Sequence, residues 1–271
     1  MNSREDNLVT QTGGFHLEKA IRTANERGEP ALAAFLTAGF PARDGFADIV
    51  RKIASEADII ELGVPFSDPM ADGVTIQDSS RQALADGVTL TWILELVAGL
   101  GLSIPIVLMS YLNPLLARGF DELAADASEA GVTGFIVPDL PVDEAGPLRE
   151  ALTARDLALI QLVTPLTPSD RRERIAAASQ GFLYAVTRTG TTGGDSTDSV
   201  SSIETYLRGL RAVSPVPVLA GFGIRTADQV QSIARLADGV IIGSALVERL
   251  AEGDDPAEFL KQLRNPGRTD Q

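Results

Sequence analysis

The 271-residue sequence contains no cysteine and only one histidine, His16. Without cysteine the chain cannot form disulfides, thiolate metal sites or cysteine nucleophiles. His16 lies near the N-terminus, where we expect it to face solvent on a helix, so a zinc site and a Ser-His-Asp triad are both disfavoured. We therefore predict no metal and no cofactor bound to this chain.

Basic residues are also scarce, with 23 Lys and Arg against 37 Asp and Glu and a formal net charge of -14. This excess of acid argues against a broad surface for nucleic acid or anionic membranes. Any phosphate ligand must then be held by local geometry.

Long apolar runs are missing as well. The sequence has no stretch of 18 or more apolar residues, which is the length needed to span a bilayer. The first residues, MNSREDNLVTQTGG, have no apolar centre of the kind found in signal peptides. We expect a cytoplasmic protein with a flexible N-terminus over residues 1–14 and a single domain over residues 15–271.

Eight short apolar runs recur along the chain, and each is continuous rather than alternating, as in parallel strands buried on both faces. Amphipathic stretches with apolar residues three and four apart separate them. Eight β-then-α units predict a closed (β/α)₈ barrel, or TIM barrel, and the length is typical of one. An open doubly wound sheet is the alternative, although the early G-x-G-x-x-G turn typical of that fold is missing. The predicted strands are 31–39, 57–63, 103–110, 134–139, 158–163, 181–186, 217–223 and 239–243.

Two segments extend this minimal barrel. FHLEKAIRTANERG (15–28) predicts an extra helix before the first strand, and RTGTTGGDSTDSV (188–200) predicts a long loop after the sixth strand. A loop of that length in a compact barrel is typically a functional lid or a disordered segment. Five residues that precede amphipathic runs are predicted helix caps: Asp44, Asp121, Asp143, Ser169 and Thr226.

Acidic residues gather where the second strand ends, in ELGVPFSDPMADG (61–73). Barrel active sites form at the carboxyl ends of strands, which makes Glu61, Asp68 and Asp72 candidates. A carboxyl group at an apolar strand end has a raised pKa and suits proton transfer, while a better hydrated neighbour stays ionised. The alternative is that Glu61 makes a structural hydrogen bond and that the two aspartates only form turns.

Glycines follow the seventh and eighth strands, in LAGFGI (219–224) and IIGSALVE (241–248). In barrels these two loops commonly bind phosphate through backbone N–H groups. Gly221, Gly223 and Gly243 could expose such groups, and Ser244 could add a hydroxyl. Alternatively the glycines serve only tight turns.

Three further residues lie in or just after predicted strands. Tyr184 could hold a carboxylate or a substrate hydroxyl, or it could simply pack in the core. Asn113 follows the third strand. Asp139 ends the fourth strand and is a stronger candidate than Asn113, because we expect a strand-end aspartate at a barrel mouth to be rarely needed for folding.

The sequence resembles the alpha subunit of tryptophan synthase over about residues 15 to 263. Seven sequence blocks carry this resemblance, and they occur in the same order as in that family. The resemblance implies a (β/α)₈ barrel that cleaves indole-3-glycerol phosphate into indole and glyceraldehyde 3-phosphate by a retro-aldol reaction. The blocks are ELGVPFSDPMADGVTIQ (61–77), FLTAGFP (35–41), LMSYLNPLL (108–116), FIVPDLP (135–141), LYAVTRTGTTG (183–193), GFGI (221–224) and ADGVIIGSALVE (237–248).

The resemblance also implies residue roles. Glu61 corresponds to the general acid and base, and Asp72 to the carboxylate that binds the indole N–H. Tyr184 matches a tyrosine near the catalytic glutamate, Phe35 an aromatic of the indole pocket, and Thr192 a threonine of a mobile loop that closes over the site. The positions that match the phosphate-binding residues are Gly193, Phe222, Gly223, Gly243 and Ser244.

A partner is implied too, since Asp68 and the loop around Asn113 match the face that contacts a pyridoxal-phosphate beta subunit. In the resulting α₂β₂ tetramer, indole passes to the beta subunit for L-tryptophan synthesis. Two departures from the family pattern are Val74, where a proline is common, and the acidic GDSTDS after Gly193. The alternatives are a stand-alone indole-3-glycerol phosphate lyase and a catalytically silent, phosphate-binding regulatory barrel.

Overall fold

The structure is a computed structural model that describes residues 12–187, 200–221 and 223–264. Eight parallel strands pair in chain order, and β8 closes the sheet against β1. The predicted closed barrel is therefore confirmed, and the open-sheet alternative is wrong. The strands are β1 Ala31–Thr37, β2 Ile59–Gly63, β3 Ile106–Met109, β4 Gly134–Ile136, β5 Ala158–Val163, β6 Leu183–Val186, β7 Val218–Gly221 and β8 Gly239–Ile242.

Helices surround this barrel. Within the described residues no single helix is long and apolar enough to cross a membrane; α3 and α4 pass such a test only as a pair, and they are bent by 93°. The helices are α1 Gly13–Glu26, α2 Phe46–Ala54, α3 Val74–Ala85, α4 Leu90–Leu100, α5 Leu112–Arg118, α6 Phe120–Ala130, α7 Gly146–Thr153, α8 Ser169–Ala178, α9 Val200–Val213, α10 Ala227–Ala234, α11 Ser244–Glu252 and α12 Pro256–Arg264.

The predicted extra N-terminal helix is confirmed as α1, and it crosses the amino ends of the strands. Leu17 is fully buried and fills the space that a side chain at Gly181, just before β6, would occupy. Asn25 donates to the carbonyl of Asp238, just before β8, at 2.8 Å. His16 is exposed, as expected. This helix covers the amino end of the barrel, so the opposite end is the one available for a ligand.

An ion-pair network strengthens the same end. Arg264 of α12 donates to Glu29 and to Asp58, each at 2.8 Å, and also to the carbonyl of Glu56. The arginine side chain is only 9% exposed, so it needs these partners. The network joins the last described residue to the segments that lead into β1 and β2.

Helix capping follows the sequence prediction only at Thr226. Its side chain accepts from the Gln229 N–H, and Gln229 reaches back to form a capping box. The other four predicted caps are wrong, because the loops place the helix starts at other residues. The corresponding N-cap positions, none of which caps through a side chain, are Gly45, Gly119, Ala145 and Pro168.

Candidate active site

A cavity of about 440 Å³ opens at the carboxyl ends of the strands. Apolar side chains of β1, β3, β5, β6 and β8 form much of its wall, and a few polar groups converge within it. Such a mixture is typical of a small-molecule site. The polar side chains are Glu61, Asp72, Thr75, Thr164, Tyr184 and Ser244.

Glu61 projects from the middle of β2 into this cavity and is 1% exposed. Neither carboxyl oxygen has a hydrogen-bond partner among the described residues. Burial, and secondly the charge of Asp72, raise the pKa of Glu61 to about 8. A buried carboxyl without donors avoids the penalty of burying a charge by keeping its proton, so Glu61 is protonated at neutral pH.

Asp72 lies in the loop between β2 and α3 and is half-buried. Its Oδ2 accepts a hydrogen bond of 2.9 Å from the hydroxyl of Tyr111. Burial raises the pKa of this carboxyl, and the bond from Tyr111 opposes the rise. The two carboxyl groups therefore differ in kind: Glu61 is isolated, while Asp72 has a donor that favours its ionised form.

Two aromatic rings in the wall depend on glycines at neighbouring strand ends. A Cβ at Gly63 would lie 2.7 Å from the Phe35 ring, and a Cβ at Gly221 would lie 2.6 Å from the Tyr184 hydroxyl. These glycines give the rings room to lie against the strands. Burial, with further contributions from Glu61 and then Asp72, raises the pKa of Tyr184 well above 10, so the phenol stays protonated.

Gly223, Gly243 and Ser244 also line the cavity. Gly243 precedes α11, and its carbonyl accepts from the N–H groups of Leu246 and Val247. The N–H groups of Ser244 and the next residue therefore precede the first bonds of the helix, where an anion can be bound. Gly223 has φ +78°, a conformation that favours glycine.

The profile of the family described as Tryptophan synthase alpha chain matches residues 21–268. The tryptophan synthase alpha chain of Nitratidesulfovibrio vulgaris is 46% identical over 248 residues, which cover 90% of this chain and 96% of the relative. The one from Citrifermentans bemidjiense is 47% identical over 243 residues, covering 88% and 90%.

The chain belongs to the tryptophan synthase alpha chain family. Solved structures agree: Mycobacterium tuberculosis tryptophan synthase superposes with a TM-score of 0.84 at 34% identity, covering 92% of this chain and 98% of that one. The alpha subunit from Legionella pneumophila gives 0.83 at 30% identity, covering 92% and 97%. Tryptophan synthase alpha chains are lyases that cleave indole-3-glycerol phosphate, so the predicted family, fold and reaction are confirmed.

The structure brings most residues predicted from this family into one cavity. They are Phe35, Glu61, Asp72, Tyr184, Gly223, Gly243 and Ser244. Thr192, Gly193 and Phe222 lie outside the described residues.

Other candidates lie elsewhere. Asp68 and Asn113 are exposed. Asp139 accepts a hydrogen bond of 2.8 Å from the Leu112 N–H, at the start of α5. Asp139 therefore has a structural contact here, and its functional role stays a prediction. A Cβ at Gly221 would collide with Tyr184, so this glycine makes room for the ring, and its part in phosphate binding stays a prediction.

Sequence reasoning missed Tyr111, the partner of Asp72. The residue lies in the block LMSYLNPLL, directly after a predicted strand, but neither its position nor its type indicates which carboxylate it will contact. The two residues are 39 positions apart and meet only because β2 and β3 are neighbours in the barrel.

We expect Glu61→Gln to stabilise the fold in a pH-dependent way. Below pH 4.5 Glu61 is protonated in both the folded and the unfolded chain. In that range the free energy of unfolding of Glu61→Gln therefore differs from that of wild type by an amount that does not change with pH. From pH 4.5 to about 8 the unfolded wild type releases this proton and the folded one keeps it, so wild type loses stability relative to the variant. The advantage should grow by about 1.4 kcal/mol per pH unit across this window and level off above it.

Urea unfolding of both proteins between pH 5 and 9 measures this effect. Glu204→Gln, which alters an exposed glutamate of α9 paired with Arg208, is the matched control and should show no such trend. A difference between Glu61→Gln and wild type that stays constant over the range would mean that Glu61 ionises normally in the folded chain.

Proposed function

We propose that Glu61 and Asp72 divide the work of cleaving indole-3-glycerol phosphate, with Glu61 transferring protons and Asp72 stabilising positive charge. The observation that carries this proposal is the Glu61 carboxyl, which is buried without a donor among the described residues and faces a cavity of about 440 Å³ that Asp72 also lines. A protonated acid beside an ionised carboxylate is what the reaction requires.

The proton moves in two steps. Glu61 first gives its proton to the indole ring carbon that carries the glycerol phosphate chain, and this leaves the ring as a cationic iminium. The resulting carboxylate then takes the proton of the adjacent hydroxyl. The carbon–carbon bond breaks, its electron pair returns to the ring, and the hydroxyl carbon becomes the aldehyde. Indole and glyceraldehyde 3-phosphate leave, and Glu61 is protonated again.

Asp72 accepts a hydrogen bond from the indole N–H and stabilises the iminium while it exists. A carboxylate is most effective in this role where water is excluded. Phe35 and Tyr184 exclude water from this part of the cavity, because both line it and are at most 8% exposed. Tyr184 remains a neutral hydrogen-bond donor close to both carboxyl groups.

The substrate phosphate is held by backbone N–H groups around Gly223, Gly243 and Ser244, with the amino end of α11 directed at it. No lysine or arginine is among the described residues that line the cavity, so this part of the site offers backbone dipoles rather than a side-chain cation. The resemblance to the family adds three residues to the proposal, Gly193 and Phe222 at the phosphate and Thr192 in the closing loop.

The partner we propose is a tryptophan synthase beta chain, in an α₂β₂ tetramer located in the cytoplasm, with residues 15–271 as one domain. Three exposed apolar side chains follow the carboxyl ends of strands: Met70 at 79%, Leu116 at 52% and Leu166 at 79%. Met70 also lines the cavity, and the other two follow β3 and β5 at the same end of the barrel. Large exposed apolar side chains grouped in this way favour a protein interface.

Glu61→Gln and Asp72→Asn are each expected to lower kcat for indole release by at least about a thousandfold, because each removes a group that acts on the reacting atoms. Both changes preserve side-chain shape, so the fold should persist. Indole formation from indole-3-glycerol phosphate is measured with and without a beta chain, and Glu204→Gln serves as the control. Normal turnover by either variant would refute the role assigned to that residue.

Gly243→Val is expected to weaken binding of the substrate about tenfold or more, because the added side chain, whose Cβ would lie 3.6 Å from the Phe35 ring, narrows the cavity at the amino end of α11 and disturbs charge-assisted hydrogen bonds to the phosphate. KM and inhibition by inorganic phosphate are the measurements. Gly209→Val, at a position on α9 with nothing within 4 Å of the new Cβ, is the control. Unchanged values for both quantities would remove Gly243 from the phosphate site.

Leu166→Asp is expected to reduce affinity for a beta chain at least about tenfold while the isolated chain keeps its own activity. Val213→Asp places the same charge at a residue that is 40% exposed at the end of α9, just before β7 and so at the opposite end of the barrel. Association and the rise in indole release are followed as the beta chain is titrated. If the two variants bound the beta chain with equal affinity and showed the same rise in indole release, an interface at the barrel mouth would be contradicted.

A further inference from the structure

Tyr111 lies between β3 and α5 and is 6% exposed. Its ring stacks on Phe66, with 5.1 Å between ring centroids and 26° between planes. The Ser110 hydroxyl donates to the Tyr111 carbonyl at 2.9 Å. Ring and backbone are therefore both fixed, and only the hydroxyl end of the side chain reaches the loop that carries Asp72.

The hydrogen bonds of this hydroxyl have a defined direction. Its oxygen accepts from the N–H of Ala71 at 2.9 Å, and its single proton is donated to Asp72 Oδ2 at 2.9 Å. Burial raises the pKa of Tyr111 above 10, and so does the charge of Asp72. The phenol therefore stays protonated through the neutral range and remains a donor to Asp72.

The backbone of Asp72 is held separately from its carboxyl group. Its N–H donates to the carbonyl of Pro69 at 3.2 Å, and its carbonyl accepts from the Gln77 side chain at 2.9 Å. Neither bond orients the carboxyl group, whereas the bond from Tyr111 does. Because a donated hydrogen bond favours the charged form of an acid, the same contact opposes the effect of burial.

We propose that Tyr111 is a positioning residue for the cleavage reaction, and that its hydroxyl keeps Asp72 ionised and aimed at the substrate nitrogen. This inference rests on the role proposed above for Asp72. Tyr111 itself lies behind that carboxyl group, outside the lining of the cavity, so it acts through Asp72 rather than on the substrate. The other ionisable groups near this pair are Asp139 beside Tyr111, and Glu61 and Tyr184 beside Asp72.

Tyr111→Phe tests the proposal, because it removes the hydroxyl and keeps the ring. We expect kcat to fall about tenfold or more near neutral pH, with a much smaller change in KM. The acidic limb of the kcat–pH profile should move to higher pH, because Asp72 without its donor ionises less readily. The alkaline limb, which follows loss of the Glu61 proton, should stay near its wild-type position.

Tyr206→Phe is the matched control. The Tyr206 hydroxyl is also buried and donates to the carbonyl of Val163 at 2.7 Å, in a separate part of the core between β5 and α9. Tyr111→Phe removes two hydrogen bonds and Tyr206→Phe removes one, so both variants should unfold at somewhat lower urea concentration than wild type. Only Tyr111→Phe should move the acidic limb.

Asp72→Asn, assayed alongside, separates the two proposals. If it keeps activity, the role of Asp72 fails and the inference about Tyr111 fails with it. If it is inactive while Tyr111→Phe retains the wild-type kcat and acidic limb, the positioning role alone is overturned. The same conclusion follows if Tyr111→Phe loses activity without any shift of the limb, because Tyr111 would then be only structural.

Phe66→Leu provides a second variant in case Tyr111→Phe does not fold. It leaves the Tyr111 hydroxyl in place and removes the ring that the phenol stacks on, so the hydroxyl is held less firmly. We expect a smaller shift of the acidic limb in the same direction. An acidic limb that coincides with wild type would count against the inference.

Discussion

The Glu61 carboxyl lies at the end of an apolar barrel, 1% exposed and without a described donor, and the rest of the site is arranged around the difficulty of placing a charge there. At neutral pH the group avoids that difficulty by remaining protonated. A second carboxyl in the same surroundings would be protonated too, and the site would then have an acid but no anion. Asp72 differs because it sits in a loop and receives a hydrogen bond from Tyr111, which opposes the rise that burial causes in its pKa.

The barrel creates this difference by placing one acid on a strand and the other in a loop. Strand register fixes Glu61 beside Phe35 and Val107, neither of which offers a polar group. The loop after β2 is free to approach β3, and there Asp72 meets Tyr111. Gly63 and Gly221 also contribute to this difference. Because they have no side chains, the rings of Phe35 and Tyr184 can lie against the strand ends and keep the surroundings of Glu61 apolar.

An acidic chain of net charge -14 must also hold a phosphate. Because Glu61 is protonated at neutral pH, the cavity that the substrate enters carries one negative charge fewer, which favours binding of a phosphate. Arg225, two residues after Gly223, forms a bidentate pair with Glu248, which also accepts from Thr75 at 3.1 Å. Among the described residues that line the cavity, the backbone N–H groups at the amino end of α11 are a feature that favours an anion, and their effect is local and oriented rather than long-ranged.

Sequence patterns predicted the barrel and the strand-end acids because both depend on local order along the chain: continuous apolar runs give the strands, and the rule that barrels act at their carboxyl ends gives Glu61 and Asp72. Contacts between residues that are distant in sequence could not be predicted in this way. The hydrogen bond that Asp139 accepts from the Leu112 N–H joins residues 27 positions apart. The hydrogen bond from Tyr111 that opposes the rise in the pKa of Asp72 is also a contact between residues distant in sequence. Tyr111 follows β3 and Asp72 follows β2, and they meet because these strands are neighbours. A motif can therefore identify the two acids, while the contact that makes them chemically different exists only in the folded barrel.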